Sequence, residues 1–165
     1  MRDRCFRRPI LAVILLLALL ACGACSRGEE SAIRSRLAAL AAEANKPPAE
    51  GLGLVAHATA MGGYFTDDVV VDLGPGTNPI QGREMLIGML GRLQPRTSAY
   101  RVALEDLDVR VTEGGETAAL AMTVRIVPRS ATSGEATDAR EFAATMSKAD
   151  GTWRIARMTA VQTLR

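Results

Sequence analysis

An α+β domain, with helices packed on one face of a curved, mainly antiparallel sheet, is the fold class this sequence predicts. Apolar residues recur at helical spacing only before Pro95, whereas from Tyr100 onward apolar and polar residues alternate with a period of two. Helices gathered first and long strands afterwards give segregated elements rather than alternating β-α-β units. The curvature comes from a third observation. Between Tyr100 and Val111 the apolar positions run Tyr100, Val102, Leu104 and then Leu107, Val109, Val111. A strand that changes faces across Glu105-Asp106 must carry an extra residue there, so the sequence predicts a β-bulge.

The chain opens with a segment that belongs to targeting. Arg2, Arg4, Arg7 and Arg8 form a basic stretch, followed by an unbroken apolar run from Ile10 to Ala21. That run has the length of a signal-peptide core and falls short of the roughly 20 apolar residues a spanning helix needs. It ends in Leu19-Leu20-Ala21-Cys22, which resembles the bacterial lipoprotein box, where a small residue precedes a cysteine that is acylated before cleavage. The resemblance implies a signal peptide over residues 1–21, a lipid anchor at Cys22 with Cys25 as the alternative, and a polar tether over 22–30. Neither cysteine is followed by Asp. In such lipoproteins that implies an exported protein held at the outer membrane, facing the periplasm, where the cell has one.

Charge changes meaning once the leader is set aside. Of 20 basic and 18 acidic residues, residues 1–25 hold four and one, which leaves 16 against 17. The rest of the chain carries no basic face interleaved with aromatics, so nucleic acid is not an expected partner. All three cysteines, Cys5, Cys22 and Cys25, lie in or beside the leader, so the domain has no disulfide framework, thiolate metal site or cysteine nucleophile. His57 is the only histidine. A multi-histidine zinc site is thereby excluded, and a lone histidine on an Ala-rich helix reads first as a packed or surface residue.

The domain proper, residues 31–165, begins with an amphipathic helix from Ser31, whose buried stripe is Ile33, Leu37, Leu40, Ala41 and Ala44. Lys46-Pro47-Pro48 stops it. Leu52 to Met61 reads as a second helix, and the β-branched Val69-Val70-Val71 as a short strand that Asp67-Asp68 bounds in a turn. Gly74-Pro75-Gly76 and Asn78-Pro79 force a loop. Gly82 then opens a third helix to about Leu93, with Met85, Leu86, Met89, Leu90 and Leu93 on its buried stripe and Pro95 at its end. Ala118, Leu120, Met122, Val124 and Ile126 give the next strand a large-residue face, with Ala119, Ala121 and Thr123 opposite. A polar loop covers Ser130 to Gly134, and strands Ala139 to Lys148 and Trp153 to Leu164 are joined by the tight turn Ala149-Asp150-Gly151-Thr152.

Phe65-Thr66-Asp67-Asp68-Val69-Val70-Val71-Asp72, a Gly/Pro loop, and Ile80-Gln81-Gly82-Arg83-Glu84 opening a helix together resemble the nuclear transport factor 2-like superfamily, especially its SnoaL-like branch. Asp150-Gly151-Thr152-Trp153-Arg154-Ile155 is similar to that branch's closing hairpin. The resemblance implies a cone-shaped, cystatin-like fold whose bent sheet leaves a pocket at the open end. It also implies functions that range from isomerases, cyclases and dehydratases to members that only bind or assemble. Laid on the isomerase pattern, the base carboxylate falls at Leu73, which cannot take a proton, and no tyrosine precedes Tyr64 to serve the oxyanion hole.

Asp72, one residue before Leu73, and the pair Asp106 and Asp108 are the remaining weak acid/base candidates. For the pair, one raised pKa inside a cone competes with the simpler reading of a charged, solvated strand edge. Arg101 and Arg125 read as outward surface charge. The pocket candidates are Met61, Tyr64, Met85, Met89, Leu104 and Met122; the flexible methionines suit an adaptable cavity, and they suit an irregular core as well. The small-residue face of Ala119, Ala121 and Thr123 with Ala143, Thr145 and Ser147 is a place where a second copy could pair, as family dimers do. The leading expectation is a membrane-tethered envelope domain that binds an apolar small molecule or a protein partner without catalysis. The alternatives are a small cofactor-independent isomerase, dehydratase or cyclase, and an assembly subunit of an envelope complex. No cofactor and no metal enters any of these readings.

Overall fold

The computed structural model describes residues 27–47, 50–97, 100–129 and 138–161. Cys22, Cys25, the leader and the Ser130 to Gly134 loop lie outside these residues. Helix α1 covers residues 27–44 and so begins before Ser31, inside the expected tether. Contacts made by its first turn account for the extension. Glu30 accepts from Arg34 one turn on at 2.8 and 2.9 Å, and Glu29 is held by Lys148 and Trp153. Both carboxylates also sit at the end of the helix where negative charge is favoured. Ile33 and Leu37, one turn apart, are fully buried against the sheet. The helix stops before Lys46-Pro47, and Asn45 secures its end.

Helix α2, Leu52–Gly62, crosses helix α3, Arg83–Thr97. Gly62 lets the two helices approach closely, because a Cβ there would lie 2.5 Å from Cγ1 of Ile87 and force that side chain to move. α3 continues past Pro95, which the sequence reading made its end; a proline so near the terminus removes a single ladder donor. Among the described side chains of the expected stripe Leu86 is buried, with Met89 and Leu90 packed at its margin, and the Leu93 side chain lies outside those described. Met85 is 62% exposed, a correction that follows from α3 packing through one narrow line of residues.

The strands are β1 (Phe65–Asp72), β2 (Ile80–Gln81), β3 (Tyr100–Val111), β4 (Thr117–Pro128), β5 (Asp138–Ala149) and β6 (Thr152–Ala160). They form one sheet in the order β2-β1-β6-β5-β4-β3, antiparallel throughout except for the parallel β1–β6 pair. β1 is longer than the three valines, and Asp67-Asp68 lie within it instead of bounding it. Both are exposed where the register against β6 slips between Phe65 and Val70, and Asp67 pairs with Arg83. The irregular stretch lets the two carboxylates reach water from inside a strand.

The register of β3 against β4 shifts between Glu105 and Asp108, at the position of the parity change, and Asp106 takes φ 51° there. Aspartate tolerates that left-handed conformation better than most residues. A second irregularity, between Thr145 and Met146, sets Ala156 of β6 outside the ladder, so Trp153 and Ile155 on one side and Met158 and Ala160 on the other all pack on the core side. The β5–β6 turn is a two-residue loop with Asp150 at φ 51° and Gly151 at φ 70°, the pair of positive angles that matches the twist of a hairpin. Leu120, Met122, Phe142, Ala144 and Met146 form the buried side of the sheet; Ala119, Ala121, Ala143 and Thr145 are exposed on the other.

Candidate functional site

The two ends of α1 differ in how they meet the sheet. At its first turn, Glu29 accepts from Lys148 Nζ at 2.6 Å and from the indole N–H of buried Trp153 at 2.8 Å. The Lys148 and Trp153 hydrogen bonds hold the Glu29 carboxyl below its ordinary value. This closes the domain around the β5–β6 turn.

At the other end of α1 the layers separate and leave a cavity of about 320 Å³. Leu40, Ala41 and Ala44 supply its α1 wall, and His57 and Met61 its α2 wall. The sheet contributes Val102 and Leu104 from β3, Met122, Val124 and Ile126 from β4, and Phe65, Ile155 and Met158 from β1 and β6. Asn45 keeps the mouth in register. Its side-chain amide donates to the carbonyls of Ala41 at 2.8 Å and Val102 at 2.7 Å, and its carbonyl accepts from Val102 N–H at 2.8 Å. One amide thus ends the helix and also pairs the free edge of β3 as a neighbouring peptide would.

Among the described residues few polar groups border the cavity. Glu43 Oε2 accepts from Lys46 Nζ at 2.6 Å, and Glu43 Oε1 faces His57 Nδ1 at 3.4 Å. Glu43 and His57 side chains are each 13% exposed, while Lys46 extends into solvent. Lys46, His57 and Tyr100 line the mouth itself. An apolar wall with a few polar groups at one end can hold a small molecule and orient it, and the volume lies in the lower part of the usual range for such sites.

Of the pocket candidates, Met61, Leu104 and Met122 line the cavity. Tyr64 does not, because the Arg36 guanidinium stacks on its ring 4.0 Å from the centroid and donates to Gly63 O at 2.8 Å. Met85 points to solvent, and Met89 packs on the core beside the cavity wall. The acid/base candidates also lie elsewhere. Asp72 accepts from Gly74 N–H at 2.9 Å and shapes a turn. Asp106 takes a hydrogen bond from Thr123 at 3.2 Å in the bulge, and Asp108 pairs with Arg110 at 2.8 Å on the exposed edge strand. Among the described residues no three His, Cys, Asp or Glu side chains converge as a metal site. Arg125 meets Glu105 on the outer face at 3.4 Å, and Arg101 is exposed.

Sequence reasoning missed Lys46 and Tyr100, and it weighed His57 only as an isolated residue. The available signal was Glu43, an acidic residue off the apolar stripe and just before the break. Nothing local, however, shows that the second helix returns to it.

No curated protein sequence matches the chain. Solved structures share its fold. A proposed scytalone dehydratase from Novosphingobium aromaticivorans superposes with a TM-score of 0.68 at 15% identity, over 86% of this chain and 89% of that one. A cystatin-like domain of unknown function from Nostoc punctiforme gives 0.63 at 17% identity, over 84% and 79%. A nuclear transport factor 2-like protein from N. aromaticivorans gives 0.60 at 16% identity, over 95% and 90%. A model of the SnoaL-like domain matches residues 56–159, which run from within α2 to within β6 and hold most of the cavity wall, and the chain therefore belongs to the SnoaL-like domain family.

Proposed function

We propose that this chain is a membrane-tethered envelope protein whose SnoaL-like domain binds an apolar small molecule at the C-terminal end of α1. The observation that carries the reading is the composition of the cavity wall. Apart from Lys46, His57 and the Tyr100 hydroxyl, its described lining is aliphatic, thioether and aromatic. Asp72, Asp106 and Asp108, the carboxylates the sequence offered for proton transfer, are engaged outside it. Tethering rests on the leader and the cysteine at 22 or 25. Native mass spectrometry of the protein from its host tests both parts. A bound small molecule and a diacylglycerol-modified cysteine are expected, whereas an empty domain that retains Met1 would refute the proposal.

One observation favours the isomerase, dehydratase or cyclase alternative. His57 stands on the cavity wall with Nδ1 against Glu43, the arrangement in which a carboxylate orients an imidazole for proton transfer. Turnover of a co-purified ligand that is abolished by His57→Gln, with the ligand still bound, would place the protein among the enzymes.

A further inference from the structure

We propose that the cavity takes a monocarboxylic acid, an apolar body of small ring or short-chain size with its carboxylate seated between Lys46 and His57. The inference rests on the ligand-binding reading above and adds the polar chemistry of the ligand. Glu43 cannot supply that chemistry, because it is largely buried and its two oxygens already face Lys46 Nζ and His57 Nδ1. The groups left to meet a ligand are the remaining N–H bonds of the Lys46 ammonium, Nε2 of His57 and the Tyr100 hydroxyl; among the described residues neither Lys46 nor His57 has another side-chain partner. Both side chains line the same cavity.

With Nδ1–H directed at Glu43, a neutral imidazole presents Nε2 as an acceptor, and a protonated one presents it as a donor. A carboxylic acid satisfies either form. As the free acid it donates to Nε2 and accepts from Lys46. As the carboxylate it accepts from both, with one proton taken from solvent onto Nε2, so the proton balance closes. An alcohol also donates to Nε2 and accepts from Lys46 but gains no charge. An ammonium meets the Lys46 cation with Glu43 already occupied. Charge-assisted hydrogen bonds are the stronger kind, so the acid binds best and the ammonium worst. The charged or titratable groups facing His57 across the mouth are Glu43 and Lys46 at the end of α1 and Tyr100 on β3.

The test uses the full chain in lipid nanodiscs with 13C-methyl-labelled methionine. Met61, Met122 and Met158 report the cavity, and exposed Met85 serves as the outside control. The probes are 2-naphthoate, 2-naphthylmethanol and 2-naphthylmethylammonium, titrated separately. Naphthoate is expected to shift the three cavity methyls with an affinity about ten-fold above that of the alcohol, the worth of one charge-assisted contact. The ammonium is expected to bind more weakly than the alcohol. Lys46→Gln, at a side chain that extends into solvent, should bring naphthoate down to the alcohol, and His57→Gln should weaken naphthoate more than the alcohol. Equal affinities, or a preference for the alcohol or the ammonium, would overturn the carboxylate assignment and leave the cavity reading standing. Cavity methyls unmoved by all three probes would overturn both.

Discussion

Each end of α1 carries a glutamate bound to a lysine and facing a ring nitrogen, and the two arrangements do opposite things. At the first turn, Glu29 meets Lys148 and the Trp153 indole, which belong to the two strands of one hairpin, and Trp153 is buried. Both partners come from distant parts of the chain, so the contact fastens helix to sheet. At the last turn, Glu43 meets Lys46, three residues on, and His57 on the next helix. There the ring stands on the wall of a cavity and keeps its second nitrogen for something else. The same side-chain chemistry closes the fold where the ring is packed and leaves a site where the ring borders a void.

The comparison is best broken at its packed end. Trp153→Ala deletes a buried indole and the N–H donor to Glu29, and a loss of about 3–5 kcal/mol is expected in chemical denaturation, as for other large aromatic truncations. Asn45→Ala tests what holds the open end in register. It leaves the Val102 N–H and carbonyl without their amide partner, while Ala41 O keeps the backbone N–H of residue 45, and about 1–3 kcal/mol should be lost, with amide exchange accelerated first along the β3 edge.

Acid sharpens the contrast. Glu29 has a folded pKa below its ordinary value, so its clamp contributes stability above the unfolded value near 4.5 and loses it as pH falls through the lower folded value. Glu29→Gln should therefore flatten the acid limb of a stability profile. An acid limb unchanged from the parent protein would show that the clamp contributes nothing. The smallest effect is expected at the rim: Lys46→Gln should alter stability by less than about 0.5 kcal/mol, as for exposed ion pairs, while changing what the cavity holds.

The bulge at Asp106 and the Asp150-Gly151 turn were legible in the sequence because each rests on adjacent residues, a parity change in one and a pair of left-handed positions in the other. The same parity logic applied to Ile155 and Met158 would have found the second bulge; the stretch was read as one even strand, and Ala156 passed unnoticed. Strand β2 and the parallel pairing of β1 with β6 left no such mark. Two residues carry no period, and a parallel partner is chosen by how the helices between the strands pack. Among the site candidates, Met61, Leu104 and Met122 reach the cavity whereas Met85, Met89 and Tyr64 do not. Apolar spacing says that a side chain turns inward. It does not say whether it meets another side chain or a void.

What the sequence determined by itself was everything set by period and by local backbone preference: the helices, the strand faces, the first bulge, the hairpin turn and the α+β class. Tertiary structure alone decided that residues 14 apart, Glu43 and His57, meet over a cavity, and that Glu29 reaches Lys148 and Trp153, 119 and 124 positions away. The physical reason is that periodicity records only which side of an element avoids water, whereas a site depends on which elements cover that side and where they stop short of touching.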